Sequence, residues 1–156
     1  MLPVGDYVKT ARSHDNWATP KKLYNAFMVK GYQDPCPLNC KHNGLEIQWY
    51  NSKLYINPPF SDIEKWSYWA LDQYDNDCDI WFLMPSRTDT KYFHALISKA
   101  DKVYFFKSRL DFNDCGVKAP FPTILIHLKF KMYLPIFDFG TLDDFIFKYL
   151  DHEKKS

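Results

Sequence analysis

Apolar side chains at Leu23, Phe27 and Met28, continuing to Val29, fall on one face of a helical pattern. Thr19 is placed to cap that helix, Pro20 suits its first position, and Gly31 ends it. Tyr32-Gln33-Asp34 then reads as a short strand running into the turn Pro35-Cys36-Pro37. Lys53 to Asn57 alternates as a strand and stops at Pro58-Pro59. Ser61 and Glu64 have capping-box spacing ahead of a helix with Ile63, Trp66 and Ala70 on one face. Asp79 to Met84 is an almost unbroken apolar run halted by Pro85, the pattern of a strand buried on both faces. A helix near Thr90 to Lys99 and a strand at Val103 to Phe106 follow. Beyond them come β-rich stretches at Arg109 to Phe112 and Thr123 to Phe130, then a last short helix from Thr141 and Asp144 through Leu150.

Strand, helix, strand, helix, strand between residues 53 and 106 predicts parallel crossovers. The expected fold is an α/β wound sheet, mostly parallel, with helices on both faces and an antiparallel C-terminal edge. One domain is expected over residues 15–150, with a mobile arm at 1–14 and a frayed charged tail at 151–156. In such sheets ligands sit beyond the carboxyl ends of the strands. Asp34-Pro35-Cys36-Pro37, Asn57-Pro58-Pro59-Phe60 and Pro85-Ser86-Arg87 each lie at such an end, so one cleft can hold all three.

Composition narrows the chemistry. The five glycines, Gly5, Gly31, Gly44, Gly116 and Gly140, are too scattered for a phosphate-cradling loop. Aromatic residues make up 19%, well suited to stacking on flat ligands. A net charge of +1 neither suggests nor forbids a nucleic-acid partner. Were the partner a nucleic acid, Lys21, Lys22, Lys91, Lys107, Lys118 and Arg109 would be candidate phosphate contacts. Cys36, Cys40, Cys78 and Cys115 form no paired CxxC; Cys36-x-x-x-Cys40-x-His42 lacks a spaced fourth ligand, so thiols rather than a metal site are expected. Ala119 to Leu128, free of Asp, Glu, Lys and Arg, is interrupted by Pro120 and Pro122 and is too short to span a bilayer. The first residues lack the apolar run of a signal peptide, so a cytoplasmic protein is expected.

The sharpest feature is Asn57-Pro58-Pro59-Phe60. An exocyclic amine on adenine is a poor nucleophile because its lone pair is delocalised into the ring. The Asn57 side-chain oxygen and the Pro58 carbonyl, accepting its two hydrogens, favour a tetrahedral nitrogen with a free lone pair. The two prolines hold those acceptors in place beforehand. Phe60 can stack on a base swung out of a duplex. Read by itself, the same tetrapeptide is a proline turn between strand and helix.

Asn-Pro-Pro-Phe resembles the catalytic motif of amino-methyltransferases, and its flanks resemble the phage-type DNA N-6-adenine methyltransferase family. The matching segments are Asp15-Asn16-Trp17-Ala18-Thr19-Pro20, Asp34-Pro35-Cys36-Pro37, Asn57 to Ser61, Leu83 to Thr90 with Phe93-His94, Arg109-Leu110-Asp111-Phe112, and Ala119-Pro120-Phe121-Pro122. The resemblance implies a Rossmann-like methyltransferase sheet, S-adenosylmethionine as cofactor, DNA as substrate, and a phage or prophage origin with the host cytoplasm as location. It places Thr19 at the methionine end of the cofactor and Asp34, Pro35 and Cys36 in the cofactor turn. Asp34 is suited to the cofactor's ammonium, and Trp17 can wall the pocket. Asn57 would serve cofactor and catalysis together.

Arg87 and Arg109 are candidate DNA contacts, or else a solvated charge and a bridge between strands. His94 and the Asp143-Asp144 pair read as structural, the acids as caps. Relatives usually carry an acid where Asn43 stands, and often another at Gln48. If such an acid holds the cofactor ribose, Glu46 would have to substitute, or the chain is a methyltransferase-like module that binds DNA or a partner. RNA adenine and protein glutamine remain alternative acceptors. No separate target-recognition domain is apparent, which leaves a short target, a specificity partner or a homodimer.

Overall fold

The apolar run from Asp79 to Pro85 forms a strand buried at all but its first position. In the computed structural model, residues 17–37, 43–130 and 134–151 are described. The strands are β1 (Lys53–Ile56), β2 (Asp79–Pro85), β3 (Ala100–Phe106), β4 (Thr123–Leu128) and β5 (Ile136–Gly140). The helices are α1 (Lys21–Val29), α2 (Ile63–Asp75), α3 (Lys91–Lys99) and α4 (Leu142–Phe145), the last continuing as a π turn over Ile146–Leu150. The expected arm, most of the tail, and Asp15, Asn16, Cys40 and His42 lie outside the described residues.

The five strands form one mixed sheet in the order β1-β2-β4-β3-β5. β1 pairs parallel with β2 and β3 with β5, whereas β4 runs antiparallel to both β2 and β3. The antiparallel strand therefore lies inside the sheet rather than at its C-terminal edge, and the pairings divide evenly between the two kinds. Thr123 to Leu128 is buried at every position, which suits a strand flanked on both sides and covered on both faces.

Helices cover both faces. Leu54, Ile56, Ile80, Phe82, Ile124 and Ile126 face α2 and α3, with Trp66, Ala70, Phe93 and Leu96 packed on them. Residues of the opposite alternation, Tyr55, Trp81, Leu83, Tyr104 and Leu125, face α1 and the C-terminal helix through Leu23, Phe27, Phe145 and Leu150. Period-two alternation along buried strands thus supplies two cores. Phe27 stacks on Tyr55 with ring centroids 4.4 Å apart.

Several local expectations are corrected. Pro20, not Thr19, occupies the N-cap of α1, and the Thr19 hydroxyl is used elsewhere. Tyr32 to Asp34 contributes a single parallel bridge, Gln33 to Leu54. A turn of 3-10 helix over Phe60–Asp62 precedes α2 and puts Asp62 at its N-cap in place of Ser61. Arg109 to Phe112 is not a strand, because the Asp111 carboxylate accepts from the backbone of Cys115 (3.2 Å) and Gly116 (2.9 Å) and curls the chain into a loop. The Thr141/Asp144 capping box is realised, while Asp143 pairs with Lys22 instead of capping. β5, unanticipated from the pattern, needs Gly140: a Cβ there would lie 2.3 Å from the Tyr104 hydroxyl.

A charged cluster is buried at the end of the sheet where β2 begins. His127 on β4 lies between Asp79 (Nε2 to Oδ1, 2.7 Å) and Asp101 (Nδ1 to Oδ2, 3.0 Å) and stacks on Trp81 at 4.2 Å. Burial pushes the Asp79 carboxyl up, but the hydrogen bond and charge of His127, with Lys129, outweigh it and hold the group below its ordinary value. Replacing His127 with Leu takes from the partly buried Asp79 and the buried Asp101 the partner they share, leaving Lys129 and Lys102 to pair with them, an expected loss of about 3 kcal/mol by denaturant unfolding at neutral pH. In the wild type the Asp79 contribution is complete above its ordinary value of 3.8 and is lost as the pH falls below it. His127→Leu should therefore show a flatter acid limb in stability against pH.

Candidate active site

β1, β2 and β3 run in the same direction, so the segments that follow them emerge along one edge of the sheet. Asn57 follows β1, Arg87 follows β2 and Arg109 lies shortly beyond β3. The parallel bridge at Gln33 delivers Asp34-Pro35-Cys36 to the same edge.

At the centre is the Asn57 side chain. Its Nδ2 donates to the Trp17 carbonyl at 2.6 Å and to Thr19 Oγ1 at 3.1 Å. A backbone carbonyl only accepts, so these contacts fix which end of the amide is nitrogen. The remaining atom, Oδ1, is buried and has no hydrogen-bond partner among the described residues. Such an orphaned acceptor costs free energy unless something else uses it.

Thr19 links the site to the core. Its Oγ1 lies 2.8 Å from the hydroxyl of Tyr55, a fully buried residue whose phenol is pushed well above its ordinary range by burial. Tyr55 in turn meets Tyr24 edge to face at 6.3 Å. Tyr24 hydrogen-bonds the Asp34 carboxylate. Tyr55, Thr19 and Asn57 are thus joined by hydrogen bonds, and a ring contact carries the chain of neighbours on through Tyr24 to Asp34.

Asp34 is half-buried and accepts the Cys36 amide at 2.8 Å, tightening its own turn. Burial pushes its carboxyl up to about 6, with the Cys36 and Tyr24 hydrogen bonds opposing that shift. It forms no ion pair among the described residues, so a cation beside it would relieve the strain of burial. Pro35 is buried beneath Gly44, where a Cβ would lie 2.0 Å from the Pro35 oxygen; only glycine lets the turn Gly44–Glu46 press so close.

Trp17 and Phe60 do not stand open as plates. Trp17 meets Phe112 and Phe121 edge-on at 5.8 and 5.3 Å, and Phe60 meets the same two rings at 6.3 and 5.3 Å. The four rings make an aromatic group beside Asn57. Pro58 is buried, and the Pro59 carbonyl accepts from Asp62 at 3.0 Å.

Arg87 and Arg109 are exposed, and neither guanidinium forms an ion pair among the described residues. Asp111 turns back on its own loop and bridges no strands. Thr90 caps α3 through its hydroxyl. Asn43 caps the turn at Gly44 and donates to Glu46 at 3.2 Å. Gln48 Oε1 accepts from Gln73 and Asn76, both at 3.3 Å, as a carboxylate there would. No cluster of metal-ligating side chains occurs among the described residues, and no helix there is long and apolar enough to cross a membrane.

Sequence reasoning assigned no role to Tyr55, Tyr24, Phe112, Phe121 or Asn113. The polar tips of Tyr24 and Tyr55 lie in apolar patterns that read as core. Asn113 falls in a stretch expected to follow a strand.

Thr19→Val removes the hydroxyl that serves both Tyr55 and Asn57, leaving a buried phenol without its partner. The expected loss is about 1–3 kcal/mol in denaturant unfolding, and Thr19→Ser should recover most of it.

Residues 8–123 match a family model described as DNA N-6-adenine-methyltransferase (Dam). No curated protein and no solved structure matches the chain.

Proposed function

The chain belongs to the DNA N-6-adenine-methyltransferase family, and from that premise we propose that it methylates the exocyclic amine of adenine in DNA at Asn57, with S-adenosylmethionine as donor. The observation that carries the reading is the amide of Asn57. Its nitrogen is occupied by Trp17 and Thr19, and its oxygen is a buried acceptor with nothing to accept.

In this reading Oδ1 takes one hydrogen of the adenine amine and the Pro58 carbonyl takes the other. The nitrogen is held tetrahedral, its lone pair freed for attack. Because the amide is already tied, no orientation has to be acquired during the reaction. Transfer would break the methyl's bond to the sulfonium and leave a neutral thioether, and the cationic amine would then lose its proton to solvent without a strong base. Phe60 stacks on the extruded base, which requires its contacts with Phe112 and Phe121 to part, since Oδ1 is closed off from solvent.

S-adenosylmethionine supplies an electrophilic methyl on sulfonium and needs no phosphate cradle. The residues present suit it. The Asp34 carboxyl, its pKa raised by burial, is suited to an ammonium, Pro35 and Cys36 belong to the same turn, and Trp17 and Thr19, held against Asn57, are read as further cofactor contacts. Arg87 and Arg109, exposed along the same edge, are placed to meet DNA phosphates. The five-stranded mixed sheet, with β4 reversed at its centre, is compatible with a methyltransferase-like α/β fold. Selection of the target falls to a short sequence, a specificity partner or a homodimer.

A second reading, a module that binds DNA or a partner without turnover, rests on Asn43 and Gln48, which bring amides where relatives usually carry acids. Labelled methyl transfer to unmethylated duplex DNA, with RNA and protein-glutamine acceptors in parallel, separates these readings. Wild type should yield N-6-methyladenine in DNA, and Asn57→Ala should lose turnover by a factor of about 100 or more while remaining folded. Full activity in Asn57→Ala would overturn the mechanism. Cofactor binding without transfer to any acceptor would favour the second reading.

Asp34 gives a further test. Only the carboxylate attracts an ammonium, so affinity for S-adenosylmethionine should be flat well above the Asp34 value of about 6. Below it, affinity should fall by up to about tenfold per pH unit in calorimetry. Asp34→Asn should bind more weakly at neutral pH and lose that slope.

A further inference from the structure

We propose that Asn113 orients and polarises Asn57 through the single peptide unit that joins Trp17 to Ala18, making Asn113 a positioning residue of the active site. The significance for catalysis rests on the reading of Asn57 above; the physical coupling does not.

The carbonyl of Trp17 and the N–H of Ala18 belong to one planar peptide. The carbonyl accepts from Asn57 Nδ2 at 2.6 Å, and the N–H donates to Asn113 Oδ1 at 2.9 Å. No cis peptide occurs among the described residues, so these two groups point in opposite directions and the plate is held from both sides. The backbone N–H of Asn113 also donates to the Ala18 carbonyl at 2.9 Å, fixing the next peptide as well. Rotation of the Trp17–Ala18 plane is thereby blocked, and with it the rotation of the Asn57 amide.

Three amides lie in series: Asn113, then Trp17–Ala18, then Asn57. Each donates through nitrogen to the carbonyl of the one before, and hydrogen bonds so connected polarise one another. Electron density shifts toward the last oxygen, Asn57 Oδ1, which is the acceptor left open. The arrangement therefore makes that oxygen a stronger acceptor as well as a better-placed one.

The loop is built for this task. Asn113 has φ 67° and Asp114 φ 49°, left-handed conformations in which Asn and Asp are the side chains most readily accommodated. Asp111 ties the loop's far side through Cys115 and Gly116. Asp114 Oδ2 accepts the Lys21 amide at 2.9 Å, anchoring the start of α1. The Trp17–Lys21 segment is thus pinned at both ends while Asn57 hangs from its middle.

The test uses full-length protein labelled with 15N and 13C in Asn, with the Asn57 side-chain signals assigned by their absence in Asn57→Ala. Asn113→Gly keeps the left-handed backbone and its N–H but removes the side-chain acceptor; Asn113→Asp keeps an acceptor. In Asn113→Gly the Asn57 amide protons should exchange about tenfold faster and its 13Cγ signal should move. The methyl-transfer kcat should drop about tenfold at unchanged KM for DNA. Asn113→Asp should restore the signals and most of kcat. Unchanged Asn57 signals in folded Asn113→Gly, or equal losses in both variants, would overturn the proposal. Should Asn113→Gly not fold, uniformly labelled wild type still decides: scalar couplings across both the Ala18 N–H to Asn113 Oδ1 bond and the Asn57 Nδ2 to Trp17 carbonyl bond would support the coupling, and absence of the first would refute it. If wild type transfers no methyl to any acceptor, the proposed function fails, while the exchange measurement continues to judge the coupling alone.

Discussion

A planar amide has two ends, and most of the site follows from how the ends of Asn57 are used. Its nitrogen is spent on the chain that precedes α1, in bonds to Trp17 and Thr19. That expenditure draws in Tyr55, which shares Thr19, and with it the packing of α1 against β1. The oxygen is left buried and unmatched, an arrangement that folding alone disfavours. In the function proposed above, an amine hydrogen of adenine completes it.

The local pattern disclosed the elements that bury a continuous face. β1, β2, α2 and α3 appeared close to their observed positions because each carries an apolar repeat of the right period. It failed where tertiary contacts decide. β4 reads from its residues as a buried strand, but nothing in them says that it runs between β2 and β3 rather than at an edge. β5 keeps Phe137 and Phe139 exposed at the sheet margin, so its alternation carries no burial signal. Arg109 to Phe112 has the alternation of a strand, yet the Asp111 carboxylate competes for backbone donors and wins a loop.

The site was legible to a similar degree. Asn57 and Asp34 stand at strand ends where topology gathers ligand contacts, and their chemistry is visible in residue type. Thr19 was seen as a cap and as a cofactor neighbour, but its bonds to Tyr55 and Asn57 cross 36 and 38 positions of sequence. Asn113 acts over 95 positions. No local rule reaches so far. Ion pairs join Lys22, Lys102, Lys129 and Lys148 each to an aspartate, and those of Lys22 and Lys129 also link distant stretches of chain.

The reversed strand at the centre of the sheet also dictates an order of assembly. β2 and β3 share no hydrogen bonds; each waits for β4, which pairs with both. As the chain leaves the ribosome, β1 and β2 can pair early, but β3 has no neighbour until residues 123–128 arrive. Until then two apolar strand edges stand open, the condition under which nascent chains aggregate. β4 is therefore the closing stone of the molecule. A chain cut before Thr123 would keep Asn57, Asp34 and Trp17 but lose the strand that joins the two halves of the sheet beneath them.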